Sequence, residues 1–435
     1  MDFINYLTSN IFKQPPIFLG LVALIGLLVQ RKSFSDIING TFKTIIGVIV
    51  LFKGVNIIAA SISPLAGAFS GLYNIPEANQ FDPAAWLNIL GDYGSTIGLV
   101  IVLAFAINLL VARISPIKNI FLTGHIFFWM SYIFVCVGVE VGLTGAKLVA
   151  FATAFLSIYI IFVPAMLRPF VKQVTGSDDF TIGHSCSLFC VIGAYIGKIF
   201  GNKEKSAEDL KIPTQLEFFR NTTIATSLFM FATYIVVGLV IGSEARVAAF
   251  GGSIGSIATI GGMQYDLFSF SLMAGLTFGA GMTVLLAGVR LMLGEIVPAF
   301  KGISDKIIPN AIPALDCPMV FPFAPNSLLL GFLISMVTST LAIIILASTG
   351  MLTYAVIPLT VACFFDIAPG AIFANATGGR RGVIISSIVG GVLIVVLAAG
   401  SMAVLKGTGA GFVQAFGGND FSLWAMIGSV FGKIF

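Results

Sequence analysis

Ten stretches of this chain run for about 20 residues with hardly a charge, and no other feature limits the possible folds so strictly. They lie at roughly 12–30, 44–63, 95–112, 119–140, 146–167, 222–242, 267–289, 327–348, 350–366 and 382–404. About 20 apolar residues in a helix match the thickness of a bilayer. β-barrel strands alternate over about ten residues, and these runs do not. A weaker eleventh run, 411–432, is interrupted by Gly417-Gly418-Asn419-Asp420. The spacing therefore predicts an all-α integral membrane protein of about 11 transmembrane helices. Composition agrees: 57% of the 435 residues are hydrophobic and only 10% charged, against about 25% charged in a soluble domain. Such a chain cannot cover a soluble surface, which excludes a soluble enzyme, a nucleic-acid binder and a disordered scaffold. The net charge of +4 is too small and scattered to point to a polyanionic partner. The five cysteines, odd in number and in apolar surroundings, do not suggest a disulfide framework.

Met1–Pro16 lacks the pattern of a signal peptide, so the first run reads as a retained span. Lys and Arg concentrate in alternate connections: Arg31, Lys32 and Lys43; Arg113 and Lys118; Arg168 to Arg220; Arg290 to Lys306; Arg380 and Arg381. Cytoplasmic loops carry this excess, which predicts an outside N-terminus and, with eleven spans, an inside C-terminus.

Two segments do not read as plain spans. Residues 173–200 are broken by Gly and polar residues, and 302–326 contain five prolines. Interrupted segments of this kind mark binding sites in transporters, and both read as re-entrant hairpins or broken helices. Asn39-Gly40 with Ile45-Ile46-Gly47 is echoed by Lys301-Gly302 with Ile307-Ile308-Pro309 at the same offsets, a short match compatible with an inverted repeat or with chance.

Ionisable groups at membrane depth cost about 2.5–3.5 kcal/mol each on insertion scales, so each needs a reason. Both histidines follow glycine, His125 after Gly124 and His184 after Gly183. Each reads either as a substrate ligand or as a helix–helix hydrogen bond. Trp129 shares a helix face with His125 at i+4. Cys186 and Cys190, beside His184, lack the second pair that would complete a metal site. Asp316 lies in a Pro-broken segment, where it would accept hydrogen bonds from substrate hydroxyls, bind a proton or Na⁺, or pair with Lys53. Lys53 falls mid-span and calls for a buried carboxylate. Glu140 and Asp366 lie near span ends.

Read in order, these residues resemble the membrane-spanning IIC component of the ascorbate-type bacterial sugar phosphotransferase systems. The likeness runs from Arg31-Lys32-Ser33 and Gly40-Thr41-Phe42-Lys43-Thr44-Ile45-Ile46-Gly47 through Leu122-Thr123-Gly124-His125-Ile126 and Ile182-Gly183-His184. It continues in Gly201-Asn202-Lys203-Glu204, Glu208-Asp209-Leu210-Lys211 and Phe300-Lys301-Gly302-Ile303-Ser304, and ends in Asp316-Cys317 and Phe323-Ala324-Pro325-Asn326. The resemblance implies one polytopic transport domain over 1–435, made of a core domain and a dimerisation domain and working as a homodimer. It implies an elevator-like movement carrying L-ascorbate inward across the bacterial inner membrane, phosphorylation there by a cytoplasmic IIB protein, and a phosphate supply from phosphoenolpyruvate through HPr and a IIA protein. It implies substrate binding by His125, Trp129, His184, Ser185 and Asp316, and, with poor alignment, by Asn79 and Gln80. It implies no metal, no cofactor and no catalytic residue: the chain has no phosphoryl-carrying residue of its own. The family carries glutamine where this chain has Trp129 and Ser185, which leaves a related sugar, sugar acid or polyol open as substrate. An ion-coupled secondary transporter is the competing class. The charged loop 201–220 reads as a docking surface for IIB or as a solvated loop.

Overall fold

The computed structural model describes residues 14–76, 79, 85–211, 215, 218, 221–241, 250, 258–260 and 263–435. Long apolar helices dominate it, as the hydropathy predicts. Seven described helical stretches are long and apolar enough to cross a membrane, with Gly124–Glu140 and Ser187–Phe200 as shorter apolar helices. In chain order the elements are α1 (Pro15–Val29), α2 (Phe34–Leu72), α3 (Ala85–Ile114), β1 (Asn119–Phe121), α4 (Gly124–Glu140), α5 (Gly145–Thr175), β2 (Thr181–Ile182), α6 (Ser187–Phe200) and α7 (Thr222–Val240). A short antiparallel ribbon, β3 (Ala258–Ile260) with β4 (Met263–Tyr265), precedes α8 (Leu267–Ile307). Then come β5 (Ile312–Leu315), a 3₁₀ segment (Cys317–Phe323) and α9 (Pro325–Ser348).

One group of helices is built on α2 and α8, which pack antiparallel along most of their length, with α1 and α7 beside them. Glycine makes the approach possible. A Cβ on Gly47 or Gly54 of α2 would lie 2.6 or 2.4 Å from backbone nitrogens of α8, and one on Gly288 of α8 would lie 2.3 Å from Leu51 N. Small residues at such a contact let backbones meet where lipid offers no hydrophobic driving force. The short likeness between 39–47 and 301–309 falls in the N-terminal part of α2 and at the C-terminal end of α8, which lie toward the same end of the antiparallel pair. Lys53 lies on the outward stripe of α2 and is exposed. Among the described residues no carboxylate lies within ion-pairing distance of it. The pair with Asp316, one of the readings the sequence left open, does not form: Lys53 faces outward from α2, while Asp316 is buried at a cavity that α2 walls with Leu51.

The second group packs around a helical hairpin that corrects two expected boundaries. The ninth run was placed at 350–366, but 351–359 is irregular and buried in part. The helix starts at Thr360, passes a π-helical turn (Cys363–Ile367) and continues to Val404. At Gly378-Gly379 the backbone leaves the helical region, Gly379 with φ +57°. The chain doubles back there. A Cβ on Gly382 would lie 2.7 Å from Ala374 O, and one on Gly390 2.9 Å from Ile367 Cγ2. We call the arms α10 (360–377) and α11 (380–404). Helix α6 lies against α10 through glycines: a Cβ on Gly193 would sit 2.2 Å from Gly370 O.

The eleventh run is not a span. It forms two short helices, α12 (Ala410–Phe416) and α13 (Asp420–Gly432), that meet at a buried turn. Glu140 at the end of α4 accepts from Gly407 N (2.7 Å) and from the Thr408 hydroxyl (2.9 Å). Lys147 Nζ donates to Phe435 O at 3.3 Å, and Phe435 packs on Phe151. The tail thus dips in and returns to the end it left, so the C-terminus lies at the α4–α5 connection, not at the opposite end as eleven spans require.

Both predicted broken segments are broken. After α5 the chain runs back along it: Thr181 Oγ1 donates to Pro164 O (2.8 Å), and the Tyr159 hydroxyl reaches His184 O (3.2 Å). It then reverses at 183–187 and leaves as α6, with Tyr195 against Phe170. The second segment enters as β5, reverses at Asp316-Cys317 and leaves as the 3₁₀ segment. The charged loop after α6 is a clamp over these ends. Asn202 N donates to Gly378 O (2.7 Å), and Glu208 accepts from Asn326 N, Ser327 N and the Ser327 hydroxyl at 2.7–3.0 Å, capping the positive end of α9.

Candidate functional site

Three strand stubs, too short to register in a periodicity, position the site. β5 lies between β1 and β2 in a parallel three-stranded sheet, with Phe121 opposite Ala314, and Ile182 opposite Leu315. Non-helical backbone at membrane depth must have its polar groups satisfied by protein, and each edge is. On the β1 side, buried Asn108 of α3 acts as a fourth strand: its Nδ2 donates to Asn119 O (2.9 Å) and its Oδ1 accepts from Phe121 N (3.0 Å). On the β2 side Thr181 bonds the carbonyl of Pro164. Beyond the strands, Leu122 N donates to Ala314 O and Gly183 N to Leu315 O. The chain then delivers one polar side chain from each strand end: His125, His184 and Asp316. Gly183 is required there, since a Cβ would lie 2.8 Å from Phe121 Cε2 and 3.1 Å from Ala314 Cβ.

These side chains converge. Asp316 Oδ1 lies 3.6 Å from His184 Nε2, and Oδ2 lies 3.9 Å from His125 Nε2. The imidazole rings stand 5.8 Å apart. Asp316 caps its own 3₁₀ segment by accepting from Cys317 N at 2.7 Å. His184 Nδ1 accepts from Cys186 N at 3.3 Å, so in the neutral ring the proton sits on Nε2, facing Asp316. His125 Nδ1 and Thr123 Oγ1 are buried with no hydrogen-bond partner among the described residues.

Two further polar residues complete the constellation. Asp366, in the π-helical turn, accepts from the Ser185 hydroxyl (2.6 Å, Oδ1) and from Asn419 Nδ2 (2.8 Å, Oδ2), and His184 Nδ1 lies 3.7 Å from Oδ1. Asn419 is held on both sides, donating also to Phe416 O (3.0 Å) and accepting from Phe421 N (3.1 Å). Behind it Asp420 ties the tail to the first hairpin, accepting from Leu188 N (2.9 Å) and from the Tyr159 hydroxyl (3.0 Å). Asp366, Asn419 and Asp420 are 1–2% exposed, so no bulk water replaces these partners.

His125, Trp129, His184, Ser185, Asp316, Asp366 and Asn419 line one cavity that, with its open mouth, encloses about 690 Å³. Its remaining wall is apolar: Leu51, Leu285 and Leu286 from α2 and α8, and Phe365, Phe412, Phe416 and Phe421. The cavity therefore lies where the two helix groups meet. Trp129 is wedged between Phe412 (4.9 Å), Phe128 (5.0 Å) and Phe52 (5.8 Å), which turns one indole face into a wall. Four helical segments begin at the cavity, namely α4, α6, the 3₁₀ segment and α13, so their positive ends point toward it.

Five of the seven expected site residues are thus brought together. Asn79 is not among them. It follows the end of α2, and its Nδ2 donates to Thr353 O (2.9 Å), away from the cavity. Gln80 lies outside the described residues. Asp366, Asn419 and the aromatic wall were not predicted. The signals were present, an aspartate at a span end and a Gly-Gly-Asn-Asp break in an apolar tail, but neither was read as part of one site. His125, His184 and Asp316 also offer ligand atoms within 4.8 Å of one another, as do His184, Cys186 and Cys317.

Residues 10–420 match the family model EIIC-GAT, described as PTS system sugar-specific permease component. The chain is 27% identical, over an alignment of 434 positions, to the ascorbate-specific PTS system EIIC component of Mycoplasma pneumoniae. That alignment covers 89% of this chain, and the chain spans 65% of the length of that relative.

Proposed function

The chain belongs to the EIIC-GAT family of PTS sugar-specific permease components, and from that premise we propose that it carries L-ascorbate or a closely related sugar acid inward and presents it to a cytoplasmic IIB protein for phosphorylation. The observation that carries the reading is the convergence of His125, His184, Asp316, Asp366 and Asn419 on one mid-depth cavity with an aromatic wall. Carboxylates accept from sugar hydroxyls, imidazole N–H groups donate to ring and enolic oxygens, and the face of Trp129 takes the apolar side of the ring. The converging helix N-termini favour a substrate with an anionic oxygen over a neutral polyol. Ascorbate in particular is supported by the name of the Mycoplasma pneumoniae relative.

The resemblance implies glutamine in the family at the positions of Ser185 and Trp129. The Ser185 hydroxyl is committed to Asp366, so the first hairpin contributes to the substrate chiefly through His184. The chain's part in phosphorylation is positioning: Asp316, between the two imidazoles, orients a substrate hydroxyl toward the donor. Phosphate reaches IIB from phosphoenolpyruvate through HPr and IIA.

Transport by an elevator-like movement of the α3–α6 and α9–α13 group against α2 and α8 is consistent with a cavity walled by both groups. A homodimer through the α1–α2–α7–α8 group is supported by Lys53. A charged lysine facing outward beside Ile46, Ile49 and Asn56 costs about 2.5–3.5 kcal/mol against lipid, and a partner subunit or trapped water relieves that cost. The distribution of Lys and Arg supports a cytoplasmic location for the 176–180, 201–211 and 378–379 end. The C-terminus, at the α4–α5 connection, then lies on the outer side.

The test is uptake of radiolabelled ascorbate by vesicles of known sidedness, with and without phosphoenolpyruvate and the partner proteins, and with Asp316→Asn in parallel. Ascorbate phosphate accumulating only with the donor supports the reading. Donor-dependent uptake of another sugar moves the substrate. Donor-independent accumulation of unmodified sugar overturns it in favour of an ion-coupled transporter.

A further inference from the structure

Behind the cavity the two hairpins bring together two thiols that substrate binding does not use, beside the ring of His184, which it does. His184, Cys186 and Cys317 each place a ligand atom within 4.8 Å of the others. Both thiols are fully buried and free. The sequence puts Cys186 and Cys190 at one turn's spacing beside a histidine and offers no second pair of ligands nearby to complete a site. The fold supplies a further ligand, Cys317, from the second hairpin, because β2 and β5 are neighbours in the sheet.

We propose that His184, Cys186 and Cys317 form a binding site for a thiophilic divalent cation of the Zn²⁺ class, which would cross-link the two hairpins and occupy the His184 ring. Two thiolates and an imidazole are a donor set that Zn²⁺ and Cd²⁺ prefer over hard cations. Around a tetrahedral ion with Zn–S bonds of about 2.3 Å, ligand atoms stand roughly 3.7 Å apart. A closure of about 1 Å therefore assembles the site, and the reversals at 183–187 and 316–317 are where the backbone can give it. The step balances simply. Two S–H bonds break, two metal–sulfur bonds form, and two protons leave. The fourth position is open to water or to Cys190, whose thiol contacts that of Cys186. His184 also faces the cavity, so metal and sugar compete for one residue, and the cation acts as an inhibitor.

The metal-binding step needs no substrate, so it is tested apart from the transport reading. The purified full-length protein is titrated with Cd²⁺ alone, following thiolate-to-cadmium charge-transfer absorption and proton release in weak buffer. One ion per chain, two protons released and a charge-transfer band are expected. Cys186→Ser and Cys317→Ser should each abolish the band and weaken binding at least tenfold, while Cys136→Ser and Cys363→Ser leave it unchanged. If the site variants fail to fold, X-ray absorption on the wild-type cadmium complex decides: two sulfur neighbours are expected. An oxygen-only shell, no band in the wild type, or wild-type binding by folded Cys317→Ser overturns the proposal.

Discussion

Replacing Asp366 by asparagine tests the site's internal logic more sharply than removing any single ligand. The substitution keeps size and shape and retains one oxygen to accept from Ser185 Oγ. At the other position an amide NH₂ replaces Oδ2 and faces Asn419 Nδ2, which stands 2.8 Å from that oxygen in the wild type. Asn419 cannot rotate to offer its oxygen without giving up its bonds to Phe416 O and from Phe421 N. One buried hydrogen bond is lost, and two donors are left face to face. A buried donor without an acceptor costs about 1–3 kcal/mol. At 1.4 kcal/mol per factor of ten, this is roughly a 5- to 150-fold loss in substrate affinity if the strain falls on the bound state. Isothermal titration with ascorbate, and thermal unfolding without it, locate the loss. The decisive variant is the exchange Asp366→Asn with Asn419→Asp. It restores a donor–acceptor pair between the two positions and lets residue 419 still accept from Phe421 N, giving up only the bond to Phe416 O. The exchange should recover most of the lost affinity, whereas Asn419→Asp alone sets two carboxylates against each other and should be the worst of the three. If Asp366→Asn binds like the wild type, or the exchange is no better than either single change, the proposed network does not hold the site.

Other outcomes follow from the same geometry. Trp129→Ala should cost about 3–5 kcal/mol by opening a cavity among Phe412, Phe128 and Phe52, read as a fall in melting temperature together with lost uptake. Glu208→Ala should uncap α9, leaving Asn326 N and Ser327 N unpaired, and cost about 1–3 kcal/mol; hydrogen exchange should rise in the first turn of α9 and not in α5. Gly193→Ala should destabilise by about 1–3 kcal/mol because backbone faces the new methyl, whereas Gly91→Ala in α3, with nothing within 4 Å of the added carbon, should be neutral or stabilising by up to about 1 kcal/mol. In the 176–180 turn the Lys172 ammonium, with Arg168, holds the Asp178 carboxyl below its usual range. The tie is therefore present at neutral pH and weakens only as pH falls through that depressed value, so amide protection in this turn should persist to pH 5 and fall in stronger acid.

The helices and the two breaks were legible because lipid enforces long apolar runs and only Gly and Pro interrupt them. His125, His184 and Asp316 were legible because polar groups at depth are rare. The sheet joining them was not, since two to four residues carry no periodicity. The boundary of α10 was misplaced because 351–359 is apolar without being helical, and hydropathy cannot tell a buried loop from a helix. The tail read as a span for a related reason: a pair of short buried helices is as apolar as one long one. Asp366 looked like a span-end residue only because that boundary was wrong. Lys53 shows a different limit, since hydropathy gives depth but not the side of the helix a residue takes.

The placement of Asn419 and Asp420 has a consequence for biosynthesis. The cavity lining from Leu51 to Asp366 is translated first, yet its last aromatic wall comes from Phe412, Phe416 and Phe421, and Asn419 and Asp420 supply partners to Asp366, Leu188 N and Tyr159. A nascent chain threaded into the bilayer up to α11 thus already carries its long spans but holds a carboxylate and a helix end without their buried partners. Completion of the site therefore follows insertion of these long spans. A chain stopped a few codons before Asn419 would reach the membrane and give membrane quality control a defined, unsatisfied polar core to recognise.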